Sequence, residues 1–122
     1  MSADVATRVA AGMAELDRVD PDWFHRISLD ELDLTSGTYK PDHNCGCVLA
    51  QLDQRHNASP VGFYEDGADE LLGKDCTRDL EWLVDHGFTL PRWEDAPGHV
   101  DGAWADLEQA WRDAIAVRRA AP

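Results

Sequence analysis

Val100-Asp-Gly-Ala-Trp-Ala-Asp-Leu-Glu-Gln-Ala-Trp-Arg-Asp-Ala-Ile-Ala-Val-Arg-Arg119 decides the fold class. Trp104, Leu107, Trp111 and Ile115 recur at steps of three and four, which puts their side chains on one face of an α-helix. Ala, Leu, Glu, Gln and Arg between them are good helix formers. Arg118 and Arg119 close the segment, where positive charge suits the C-terminal end of the helix dipole. The stretch predicts a helix over 100–119 with one apolar stripe.

Upstream, Thr89 to Gly98 contains Pro91 and Pro97 and reads as a loop, with Trp93 as a packing anchor. Asp75 is a good cap for a helix from Cys76 to His86, whose stripe is Leu80, Leu83 and Val84 with Trp82 to one side, and Gly87 is a left-handed stop. Ala68 to Leu72 reads as a turn of helix, pinned by Phe63 and Tyr64. Cys47 to His56 is a short helix with Val48, Leu49 and Leu52 inward, and Thr35 to Asn44 is a loop. Near the start, Val5, Val9, Met13 and Leu16 predict a helix from Ala3 to Arg18, with Ser2 as its cap. Asp20-Pro21 opens a short helix to Ile27, because proline is welcome in a first turn. Ser28 to Leu34 reads either as a further turn capped by Ser28 and Glu31 or as a brief extended piece. No convincing set of alternating strands is present, although one short hairpin in the loops stays open. The expectation is an all-α bundle of four to five helices with irregular loops, forming a single domain over residues 1–122.

The chain carries 24 acidic against 11 basic side chains, a formal charge of −13. That balance speaks against binding nucleic acid or anionic membranes, which both need Lys and Arg. It favours a basic partner, a cation, or plain solubility. No apolar run is long enough to span a membrane, and Met1-Ser2-Ala3-Asp4 lacks the features of a signal peptide, so a cytoplasmic location is expected.

The middle of the chain carries a set of short motifs: Trp23-x3-Ile27, Leu32-Asp33-Leu34, Cys45-x-Cys47-Val48-Leu49-x-Gln51-Leu52 and His86-Gly87-Phe88. Across residues 23 to 88 this resembles a group of small acidic proteins of actinobacteria and their phages; where members often have Gly before the Gln, this chain has Ala50. The preference for Arg over Lys and the abundant Ala agree with a GC-rich source. The resemblance implies a phage-related origin and carries over no catalytic or binding residue.

Five constellations bear on chemistry. His43, Cys45 and Cys47, completed by Cys76, form a candidate zinc set, since zinc takes four nitrogen or sulfur ligands tetrahedrally. Cys-x-Cys is tighter than the usual paired spacing, and the competing reading makes Cys47 and Cys76 small core residues. The same thiols offer a redox pair, but three cysteines leave one over. A cysteine nucleophile, Cys45 or Cys76 with one of His43, His56, His86 or His99, lacks any family signature. The stretch from Glu65 to Asp85 holds Glu65, Asp66, Asp69, Glu70, Asp75, Asp79, Glu81 and Asp85 against Lys74 and Arg78. It is either a solvated face or a negative patch that attracts a basic protein or imitates DNA phosphates. Finally, an exposed Trp82 beside the acids would be a natural contact residue. The candidate partner-binding set is therefore Glu65, Asp66, Asp69, Glu70, Asp79 and Trp82.

With no phosphate-binding loop, nucleophile elbow or calcium loop, the expected function is non-enzymatic: binding another protein through an acidic surface. The alternatives are a small zinc protein and a DNA-mimic inhibitor of a DNA-binding protein. Zinc is the one candidate cofactor, and a homodimer is open because the apolar stripe of the last helix would suit a second copy.

Overall fold

Asp4 starts the first helix: its Oδ1 accepts the Thr7 N–H at 2.7 Å, satisfying one of the donors that open every helix. Ser2, the expected cap, lies outside the described residues. The computed structural model describes residues 4–32, 34, 47–57, 62, 64–90 and 103–121. They form α1 (Val5–Val19), a 3-10 turn (Trp23–His25), α2 (Val48–His56), α3 (Tyr64–Leu72), α4 (Leu80–Asp85) and α5 (Ala103–Ala120). The protein is all-α, and no strand occurs among the described residues.

The two long helices supply the centre. Val9, Met13 and Leu16 of α1 and Leu107, Trp111 and Ile115 of α5 are buried, as their periodicity requires. Trp23, Leu32, Leu49, Leu83 and Phe88 belong to the same cluster. Backbones approach closely at several glycines. A Cβ on Gly12 would lie 2.1 Å from the His86 carbonyl oxygen, so α1 sits directly on the turn that ends α4. In that turn Gly87 has φ +73°, and the bonds Gly87 N–H to Val84 and Phe88 N–H to Leu83 close the helix in the left-handed manner expected. Trp111 then donates its indole N–H to the Gly87 carbonyl at 2.7 Å.

Between α1 and α2 the chain departs from expectation. The predicted helix from Pro21 to Ile27 is only the 3-10 turn, and Ser28 to Leu32 makes two turn bonds rather than a helix. Ser28 does not build a capping box with Glu31. Its N–H donates to Gln51 Oε1 at 2.7 Å, and its carbonyl accepts from Gln51 Nε2 at 3.1 Å. Arginines of α5 take up further carbonyls. Arg112 donates to Leu29 O at 2.7 Å and to Leu32 O, and Arg119 donates to Phe24 O at 2.8 Å and to Ile27 O. Side chains thus replace the ladder that a helix would have supplied to these backbone groups. Arg118 and Arg119 sit in the last turn of α5, as expected, and also reach across to other elements.

The acidic segment is more helical at its start than expected and less so later. α3 covers Tyr64–Leu72 rather than a turn at Ala68–Leu72. Conversely, Asp75 caps a turn by accepting the Thr77 and Arg78 N–H groups at 2.8 and 2.7 Å, and α4 proper begins only at Leu80.

Candidate functional site

α3 is polarised by the pattern of its own residues. Gly67, Ala68 and Leu72 are buried, while Glu65, Asp66, Asp69 and Glu70 are exposed. At 100° per residue those four carboxylates span an arc of about 140°. The buried side is pressed onto α2: a Cβ on Gly67 would sit 2.3 Å from the Leu49 carbonyl oxygen. Small residues inward and acids outward leave a negatively charged outer face. Among the described residues none of the four is ion-paired; Glu70 alone receives a side-chain hydrogen bond, from Asn57 Nδ2 at 2.7 Å. Asn57 also donates to Asp53 Oδ1 at 2.8 Å, so the end of α2 fixes the Glu70 end of the face. Glu65 and Asp66 sit in the first turn, where negative charge is favoured by the helix dipole.

Two other members of the expected contact set have local duties. Asp79 Oδ2 accepts the Asp75 N–H at 2.8 Å and pairs with Arg78 at 3.3 Å. The backbone bond from Asp75 holds the Asp79 carboxyl below its ordinary range, and the backbone bonds from Arg78 and Thr77 do the same for Asp75. Both carboxylates build the turn into α4. Trp82 is half-buried rather than openly presented. Its ring stacks on His86 at 3.8 Å and 16°, lies 6.3 Å from Phe88, and carries Lys74 Nζ at 4.6 Å from the centroid. His86 Nδ1 is 2.7 Å from the Trp82 carbonyl oxygen. The tryptophan therefore anchors the C-terminal end of α4 and draws the nearest lysine onto its own ring. Glu81 and Asp85 of the same helix are exposed.

Of the candidate zinc ligands, His43 and Cys45 lie outside the described residues. Cys47 is the N-cap of α2: it is buried, and its Sγ accepts the Ala50 N–H at 3.4 Å. Cys76 is half-buried with Sγ 3.9 Å from Thr77 Oγ1. Among the described residues no three His, Cys, Asp or Glu side chains gather as a metal site would require. Of the histidines weighed as a base, His56 is exposed at the end of α2, His86 is the partner of Trp82, and His99 lies outside the described residues. Trp93 lies outside them as well, and Trp104 is half-buried beside the core.

Sequence reasoning missed the polar joint between α1, the 3-10 turn and α5. Asp17 Oδ1 accepts both the Trp23 indole N–H at 2.8 Å and Arg118 Nη1 at 2.6 Å. It also missed a depression lined by His25, Arg26, Ile27, Ser28 and Arg55. The cations of that depression come from separate stretches of chain and share no motif, so no local signal marks them. The chain matches no protein-family model, no curated protein and no solved structure.

Proposed function

We propose that this is a non-enzymatic binding protein whose contact surface is the outer face of α3 and whose partner is a basic protein. The observation that carries the reading is the set Glu65, Asp66, Asp69 and Glu70, exposed together on one helix face without a cation from the described residues paired to it. Charge complementarity supplies on-rate and selectivity for a cationic partner. The formal charge of −13 extends that attraction beyond the contact itself. Trp82, held within α4 by its stack on His86, has no part as an inserted anchor in this reading.

The test compares two variants of equal charge. One neutralises the face (E65Q/D66N/D69N/E70Q); the other removes four exposed acids elsewhere (D22N/D30N/D106N/D113N). Co-purification from host cells, followed by measurement of the captured partner's affinity, should show loss with the first variant and retention with the second. Equal weakening by both would assign the effect to net charge and remove the face from consideration. If duplex DNA competes for the captured partner, that partner is a DNA-binding protein and the face works by imitating phosphates.

A further inference from the structure

The depression between the 3-10 turn and α2 brings two arginines to one place on an acidic molecule. It is shallow and largely open to solvent, with a volume of about 520 Å³, and is lined by His25, Arg26, Ile27, Ser28 and Arg55. That volume lies in the range of small-ligand sites. Its floor is rigid. Ile27 is buried, Ser28 is locked to Gln51 through both backbone groups, and Arg119 holds the carbonyls of Phe24 and Ile27. The carbonyls of Phe24, Ile27 and Ser28 are already occupied, and the negative groups an anion meets here are the Asp20 and Glu31 carboxylates beside the arginines.

The donors are not well used. Arg55 makes only long contacts: 3.3 Å to Gln51 O, 3.4 Å to Gln54 Oε1 and 3.5 Å to Glu31. Glu31 is 65% exposed, so this ion pair is the weakly held surface kind. Arg26 meets Asp20 at 3.2 Å while remaining 48% exposed. A guanidinium that bonds to a phosphate oxygen typically does so at about 2.7–2.9 Å, much shorter than any contact Arg55 makes.

We propose that this depression is a binding site for a small organic phosphate, with Arg55 and Arg26 taking the phosphoryl oxygens and the Ser28 hydroxyl donating a further bond. Two arginines, a histidine and a hydroxyl line one depression, and several separate donors suit a tetrahedral dianion better than a planar carboxylate that one guanidinium fork already satisfies. The space beyond the phosphoryl group accommodates the organic part. Glu31 is the occupant that the ligand displaces from Arg55. This site is independent of the α3 face, and its failure would leave the reading of that face untouched.

The experiment follows backbone amide resonances of residues 25–28 and 55 during titration with ribose 5-phosphate, inorganic phosphate and ribose. Saturable shifts are expected with the first two and none with ribose. R55A should weaken ribose 5-phosphate about tenfold, the cost of one charge-assisted bond. E31Q should strengthen it about threefold, because it removes a competing carboxylate at the cost of only a surface pair. Both side chains lie at the surface, and unchanged thermal melts would confirm that the variants fold. Absence of saturation up to about 10 mM would overturn the proposal. So would equal shifts with ribose, or an R55A affinity equal to that of the parent protein. Binding of inorganic phosphate at the same affinity as the ester would confine the site to the phosphoryl group and overturn the role assigned to the remaining space.

Discussion

Asp17 Oδ1 serves two donors, the indole of the fully buried Trp23 and the guanidinium of Arg118. Asp17→Ala strands that indole N–H and should cost about 1–2 kcal/mol in denaturant unfolding, whereas Asp17→Asn keeps a neutral acceptor and should cost less. The Arg118 bond, opposed by partial burial and aided by Trp23, holds the Asp17 carboxyl below its usual 3.8. A carboxyl depressed in the folded state adds stability that is complete above the unfolded value and lost as pH falls toward the folded one. Acid titration of stability should therefore be less steep below about pH 4 in Asp17→Asn than in the parent, with Asp4, Asp75 and Asp79 supplying the remaining slope. Cys47 is a second residue whose local role makes a prediction. As a cap accepting from Ala50, it should tolerate Cys47→Ser with a change of under about 0.5 kcal/mol, while Cys47→Ala should lose about 1 kcal/mol. A far larger loss in Cys47→Ser, with added zinc stabilising the parent protein but not the variant, would instead make the sulfur a metal ligand.

Among the elements, tolerance to a methyl group separates two kinds of glycine. A Cβ on Gly12 or Gly67 would lie 2.1 or 2.3 Å from a backbone carbonyl oxygen, so Ala at either must push helices apart. Each substitution should cost about 2 kcal/mol or more in thermal or denaturant unfolding. Gly73 has φ +66° with open space around it, so Ala there should cost only the left-handed backbone strain, about 1 kcal/mol. The same comparison explains what the sequence revealed. The stripes of α1 and α5, the helix at α2 and the stop at Gly87 follow from local spacing and backbone sterics, and all were legible. The 20–34 segment was not, because Ser28, Phe24 and Ile27 are satisfied by Gln51 and Arg119, partners remote in sequence. Periodicity carries no information about them. In the acidic segment, residues Glu65 to Glu70 were legible as charge, but their separation from Asp75 and Asp79 was not: capping duty depends on turn geometry that composition does not encode.

At the scale of the molecule, the formal charge of −13 sets the response to solvent. Like charges repel across the folded surface, and added salt screens that repulsion over a Debye length of about 10 Å at 0.1 M. The melting temperature should rise by about 2–5 °C between low salt and about 0.5 M sodium chloride. A fall would show that cross-element pairs such as Arg118–Asp17 outweigh the general repulsion. The hydrophobic cluster spans α1 to α5, and no helix of the described residues is long and apolar enough to cross a membrane.

The arginine clamps also impose an order of events. Arg112 meets Leu29 across 83 positions of chain, Arg119 meets Phe24 across 95, and Arg118 meets Asp17 across 101. Contacts of such separation close late, after nearer ones have formed. On the ribosome, residues 20–34 emerge long before their donors exist as peptide. A nascent chain arrested before residue 112 should leave that segment open to protease while α2 and α3 have already paired, and release of α5 should close it. The far end of the chain thus acts as the timer for the near one.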